Sequence, residues 1–261
     1  MISEKNNLFH PSNWKYRSSD SAGLSSIITP ENSACKITSV FRLNLVEGAS
    51  YYLQNKHLEL NGVVISGQAE VRFDDQNKTL DKLDSFYLPG NENLEIKAKK
   101  DLFMLIGGAP YEGIGDYFTR KFDLSLPEGD IHQIHGEPPY QREVFITVNQ
   151  EVPASKLICG ITWGEPGKWT SWPPHQHSKD LEEIYCYFDI PAPEFSLHLS
   201  SRKPEVIEAV HPVSTGDCVA VPQGYHPTVG IPGVSSKYFW VMAAHSQESR
   251  RYDLAVEDYG I

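Results

Sequence analysis

The sequence predicts an all-β chain made of two antiparallel β-sandwich or barrel halves, and three observations lead there. Short runs rich in β-branched and aromatic residues recur from end to end, each bounded by turn formers. Gly and Pro are plentiful, 19 and 18 in 261 residues, and no long stretch carries a helical period. Two signatures also occur once in each half, as expected of a repeated unit.

The first-half strands are read from SVFRLNLV, NGVVISGQAEVRF, DSFYLP and LEIKA. Those of the second half are EVFITV, LICGITW, EEIYCYF, FSLHLS, DCVAVP and KYFWVMAA. Many short strands with turns between them fit a sandwich or barrel better than alternating β/α units. The intervening segment YEGIGDYFTRKFDLSLPEGDIHQIHGEPPY is turn-rich and poor in apolar residues, and it holds the expected boundary. The division falls at 1–130 and 131–261, two domains of ordinary size. One repeated signature is a Glu and Gly after a strand, at Glu47-Gly48 and Glu165-Pro166-Gly167. The other is an Asp followed five residues later by Pro, at Asp84 and Pro89 and at Asp217 and Pro222.

Composition excludes several classes of function. With 23 Lys and Arg against 34 Asp and Glu, the net charge is −11, and no basic run offers a face to nucleic-acid phosphates. The N-terminus lacks an apolar signal core, and no stretch approaches the ~20 apolar residues of a membrane span. Cys35, Cys159, Cys186 and Cys218 are scattered, without a C-x-x-C pair, and read as small buried residues. A cytoplasmic location is expected.

Most of the chemistry lies in the second half. In GKWTSWPPHQHSKDLE, His175 and His177 sit two residues apart in an extended segment, so their rings project from one face. Pro173 and Pro174 keep the approach non-helical. Glu182 opens the next apolar run and is the expected carboxylate partner, while alternation sends Glu183, Tyr185 and Tyr187 to the opposite face. Further on, GDCVAVPQGYHP runs a strand into a Pro-x-Gly turn and delivers His226. Three imidazoles and one carboxylate suit one divalent cation, Zn, Mn, Fe, Co or Ni, and ligand type alone does not choose among them.

This pair of motifs resembles the two motifs of the cupin superfamily, although only Tyr225 stands between Gly224 and His226, where that superfamily usually has two residues. More narrowly, TWGEPGKWTSWPPHQH, LEEIYCYF, VPQGYHP and YFWVMAA resemble the 5-deoxy-glucuronate isomerase family of inositol breakdown. That family is related to the 4-deoxy-5-hexosulose-uronate ketol-isomerases of pectin breakdown. The resemblance covers roughly residues 140–245, and the tail HSQESRRYDLAVEDYG departs from it. It implies a bicupin fold and the metal ligands His175, His177, Glu182 and His226. It also implies isomerisation of a deoxy-uronic acid through an enediol, which needs a base to move a proton between neighbouring carbons. A hydroxide held by the ion, a tyrosine or a carboxylate near it could serve.

Tyr225 adjoins a ligand and is the tyrosine candidate. Arg142 and then Lys168 are the candidate cations for the uronate carboxylate. Trp172 and Trp240 either flank the sugar or fill the core. His132 and His135 lack ligand spacing and are expected to contact solvent. Carrying the ligand spacing into the first half gives Lys56, Leu58, Val63 and Asn93, which cannot hold a metal, so that half is read as packing, dimerising or shaping the site. A small sugar acid is the expected partner, with a homo-oligomer possible through exposed strand edges. An iron dioxygenase and a sugar-binding protein are the competing readings.

Overall fold

A computed structural model describes residues 8–54 and 56–260. All pairing between its strands is antiparallel, and among the described residues the helical elements are 3₁₀ turns at Pro11–Asn13 and Tyr252–Leu254. The chain opens with β1 (Lys15–Arg17), β2 (Gly23–Ile28), β3 (Ser39–Leu45), β4 (Ser50–Gln54) and β5 (Leu58–Phe73). It continues with β6 (Gln76–Leu80), β7 (Ser85–Leu88), β8 (Asn93–Pro110) and β9 (Phe118–Arg120). After the crossing segment come β10 (His132–His135), β11 (Arg142–Val148), β12 (Leu157–Gly164), β13 (Trp169–Ser171) and β14 (Leu181–Tyr187). The last strands are β15 (Ser196–Ser200), β16 (Ala209–Val213), β17 (Asp217–Val221), β18 (Thr228–Gly230) and β19 (Lys237–Ala244).

Strands β2 to β9 form one sheet of order β2-β3-β8-β5-β7-β9, with β4 added on β8 and β6 on β5. The second half builds a sheet of order β17-β14-β19-β12-β11-β10, faced by a smaller one of order β13-β18-β15-β16. These sheets are cupin-like but do not close into a barrel. One strand crosses over: β1 pairs with β17, opposing Lys15 to Val219 and Arg17 to Asp217. Residues 15–17 therefore complete the sheet of the second half, although they precede the first.

The repeated Asp and Pro have a structural cause. Asp84 accepts the amide proton of Asp81, and Asp217 that of Ser214, so each carboxylate closes the turn that launches its strand. The register then aligns the halves. Leu60 on β5 lies opposite Leu88, and Glu183 on β14 lies opposite Val221; Leu88 and Val221 each stand four residues after the Asp. The first-half counterpart of Glu183 is thus Leu60, and that of Glu182 is Glu59 rather than Val63, because β5 meets β7 in that register.

Two cores follow from alternation. Leu60, Val64, Phe86, Met104 and Ile106 fill the interior of the first half with hydrocarbon. Their strand neighbours Val63, Ile65 and Leu105 turn the other way and join Ile161, Ile184 and Val241 in a core shared by both halves. Gly107 lets β8 approach closely there, because any side chain would run into Val241. The interior of the second half instead receives His177, Glu183, Tyr185, Tyr187 and His198, all buried. Buried polar groups need partners, so that interior is where chemistry is expected. The four cysteines are free and buried.

Candidate metal centre and substrate cavity

The site begins where the chain leaves β13. Trp172 to His177 run without regular pairing, and a turn then folds back, with the amides of Asp180 and Leu181 both donating to the carbonyl of His177. That turn resets the alternation. Leu181, Glu182 and Glu183 start β14, with Glu182 facing outward from the second half and Glu183 facing inward beside the histidines.

The inward group converges. Nε2 of His177 lies 3.0 Å from Oε2 of Glu183, and Nε2 of His226 lies 3.2 Å from the same oxygen. Potential ligand atoms of His177, Glu183 and His226 all fall within 4.8 Å of one another. The His175 ring packs edge-on against His226 with centroids 4.8 Å apart, and lies 6.3 Å from His177.

Each imidazole is oriented by the backbone. Nδ1 of His175 is 2.9 Å from the Pro173 carbonyl, that of His177 is 3.1 Å from Leu181, and that of His226 is 3.0 Å from Gly224. A carbonyl only accepts, so Nδ1 carries the proton in all three rings, and in His177 and His226 Nε2 is the nitrogen that faces Glu183. Such a bond on the far nitrogen is the usual support of a metal-ligating histidine. Gly224 is needed for the third ring: its φ is +85°, and a side chain there would strike the carbonyl of Ser201.

Electrostatics fit the same reading. Burial alone would raise the Glu183 carboxyl, but His177 and His226 beside it outweigh burial and hold the group at about 2. Burial, followed by His226 nearby, pushes His175 down to about 3, so it stands neutral with a lone pair free. The Nε2 atom of His226 is buried without a hydrogen-bond partner of its own. An anionic carboxylate, three directed imidazoles and an orphaned buried nitrogen fit a divalent cation.

Glu182 is the correction. Its carboxylate receives the amides of Lys36, Ile37 and Thr38 at 2.6, 3.0 and 3.2 Å, and the Thr38 hydroxyl at 3.1 Å. It is spent on joining the halves and cannot turn toward the histidines. Glu183, which simple alternation assigns to the wrong face, stands in the place expected of Glu182.

A cavity of about 180 Å³ opens beside this group. His175, His177, Glu183 and Tyr185 line it together with Arg142, Trp172, Tyr238 and Trp240. Arg142 is thus brought to the site, with Nη1 donating to the Trp172 carbonyl at 3.0 Å. Trp240 donates its indole N–H to Thr162 at 3.0 Å, leaving its ring against the cavity.

Neither Lys168 nor Tyr225 lines the cavity. Lys168 sits in the turn before β13, and its carbonyl accepts the amide of Gly230. Tyr225 alternates away from its neighbour His226 and donates to Asp258 at 2.5 Å, with its ring edge-on to Tyr259. His135, expected at the surface, lines the cavity, because β10 pairs with β11 and sets His135 opposite Arg142. His132 is buried, with Nδ1 2.9 Å from the Leu126 carbonyl.

The C-terminal segment closes the last side. Gln176, between the two histidines, exchanges both backbone hydrogen bonds with Val256 at 2.8 and 3.0 Å. Tyr252, Ala255 and Glu257 line the cavity from this segment. The segment is tied down at Arg250, whose guanidinium donates to the carbonyls of Asn149, Gln150 and Leu157.

Comparison with known proteins agrees with this architecture. A model of the KduI/IolB family matches residues 14–257. The 5-deoxy-glucuronate isomerase of Lacticaseibacillus casei is 30% identical over 237 residues, covering 83% of this chain and 84% of that protein. An IolB-like protein from Salmonella typhimurium LT2 superposes with a TM-score of 0.79 at 23% identity, over 90% of this chain and 94% of that one. Oxalate decarboxylase from Bacillus subtilis, a protein with Mn(II) centres, superposes with a TM-score of 0.60 at 16% identity, over 89% and 77%.

Proposed function

This chain belongs to the KduI/IolB family, and from that premise we propose a metal-dependent aldose–ketose isomerase acting on 5-deoxy-glucuronate, in inositol breakdown. The observation that carries the metal is the convergence of His177, Glu183 and His226, whose potential ligand atoms lie within 4.8 Å of one another while Nδ1 of each ring is held by a backbone carbonyl. The relatives' activity supplies the reaction, an intramolecular oxidation and reduction between adjacent carbons.

His177, Glu183 and His226, with His175 at their edge, would hold the cation. Zn or Mn serves this chemistry, because the cation supplies charge stabilisation for oxygen as an enediol forms, with no redox change. Arg142 presents the cavity with a guanidinium able to fork around the uronate carboxylate. The rings of Trp172 and Trp240 wall the sugar chain and exclude water from it. Burial keeps the hydroxyls of Tyr185 and Tyr238 protonated, so neither removes a proton, and that of Tyr238 is donated to the Thr170 carbonyl at 2.7 Å.

The test is incubation of the metal-loaded protein with 5-deoxy-glucuronate in deuterated water, followed by NMR. Ketone product carrying solvent deuterium beside the carbonyl is expected, with loss of turnover after chelation and recovery with Zn or Mn. Absence of turnover, with 4-deoxy-5-hexosulose-uronate also inert, would overturn the proposal.

A further inference from the structure

The reaction requires a group that takes a proton from one carbon and returns it to the next. The Tyr238 hydroxyl is given to the Thr170 carbonyl at 2.7 Å, and Tyr185 is buried among the rings of His198, His226 and Tyr238. His135 is pushed down to about 4 by burial and then by Arg142, which makes it a poor proton acceptor. Glu183 is engaged by His177 and His226. Among the described residues lining the cavity, one carboxylate is left, that of Glu257.

Backbone pairing explains how a tail residue comes to be there. Gln176 and Val256 oppose each other in an antiparallel bridge, so their side chains share one side. Their neighbours point the other way: His175 and His177 on one segment, Ala255 and Glu257 on the other. Glu257 is thereby set on the same face as the two histidines, across a single backbone pairing. Tyr225, bonded to Asp258, fixes the residue that follows.

We propose that Glu257 is the catalytic base, which carries the proton between C2 and C1; this rests on the isomerase reading above. The C2–H bond breaks toward the carboxylate, its electron pair forms the C1–C2 double bond, and the carbonyl π pair moves to O1, which takes up a proton. In the second half, C1 recovers the proton from Glu257, O2–H gives up its proton, and C2=O2 forms. Protons and electrons balance without a co-reactant. Glu257 is exposed at the cavity mouth, so its acid form exchanges with water before the proton is returned, and solvent deuterium enters at C1.

The experiment compares wild type, Glu257→Gln, Glu257→Asp and His135→Gln, each metal-loaded, with 5-deoxy-glucuronate in deuterated water. Glu257→Gln is expected to lower kcat by roughly 10²–10⁴-fold with metal content unchanged and KM within a few-fold, and to abolish deuterium entry. Glu257→Asp should recover part of kcat. If wild type turns over and Glu257→Gln retains its kcat and deuterium entry, or if only His135→Gln loses them, the assignment to Glu257 is overturned and the isomerase reading stands. If wild type itself is inert with both deoxy-uronates, the isomerase reading falls and this assignment falls with it.

Discussion

Glu59 and Glu182 occupy equivalent places in the two halves and clamp them together in opposite directions. Glu59 on β5 receives the amides of Ser155, Lys156 and Leu157 from the second half, and the hydroxyl of Tyr87. Glu182 on β14 receives the amides of Lys36, Ile37 and Thr38 from the first. Both carboxylates are buried, and each satisfies three consecutive amides that precede or open a strand of the opposite half.

Replacing either acid by Ala strands three amides at a dry interface. Glu59→Ala and Glu182→Ala are each expected to cost about 3–5 kcal/mol of stability, the scale for breaking a buried charged contact. Urea unfolding checks this, alongside metal analysis of the folded fraction, which should stay at the wild-type level. Loss of metal in Glu182→Ala with stability intact would restore Glu182 as a ligand.

The adjacent residue should behave in the opposite way. Glu183→Gln keeps the shape of the side chain and removes the anionic donor beside His177 and His226. Metal affinity is expected to fall about 100-fold or more, beyond the effect of losing a mere supporting contact. Titration with Zn²⁺ or Mn²⁺ followed by calorimetry measures it, and wild-type affinity would contradict the centre described here.

Much of this was legible in the chain, and the misplacements have physical causes. The strand runs, the Asp-to-Pro repeat and the three imidazoles rest on local pattern, and the structure brings His175, His177 and His226 together. Glu182 and Glu183 could not be told apart by counting, because the turn at 178–180 interrupts the alternation between His177 and β14. The amides that claim Glu182 lie more than 140 residues earlier, beyond any spacing rule. His135 reaches the cavity through the pairing of β10 with β11, and Glu257 through the bridge of its neighbour Val256 to the far earlier residue 176. The alternation that misassigned Glu183 could have found it once anchored on Tyr185 and Tyr187, which share its face.

His135 gives a pH signature. Its folded-state value of about 4 lies below the ordinary 6.5, so the unfolded chain binds more protons between those limits. Stability therefore rises with pH across that window and is lost as pH falls from about 6.5 toward 4. His198, likewise pushed down by burial, adds to the same trend. In thermal unfolding of chelated protein from pH 4 to 7, His135→Gln should show a flatter midpoint profile than wild type. An unchanged slope would remove His135 from this account.

Gly224→Ala tests the turn that presents His226. The substitution imposes a side chain at φ +85° and drives it into the Ser201 carbonyl. Destabilisation of about 1–3 kcal/mol is expected from the backbone strain alone, together with weakened metal retention. Denaturant midpoint and metal content report the two effects, and a neutral result in both would show that His226 needs no such turn.

The pairing of β1 with β17 sets the order in which this molecule can be made. Lys15 leaves the ribosome early, yet its neighbour Val219 follows about two hundred residues later. Such a separation raises contact order and slows folding, since a long loop must close before the contact repays it. Until then the margin of β17 stays open to other chains, so a fragment starting after residue 22 should be prone to association rather than to independent folding.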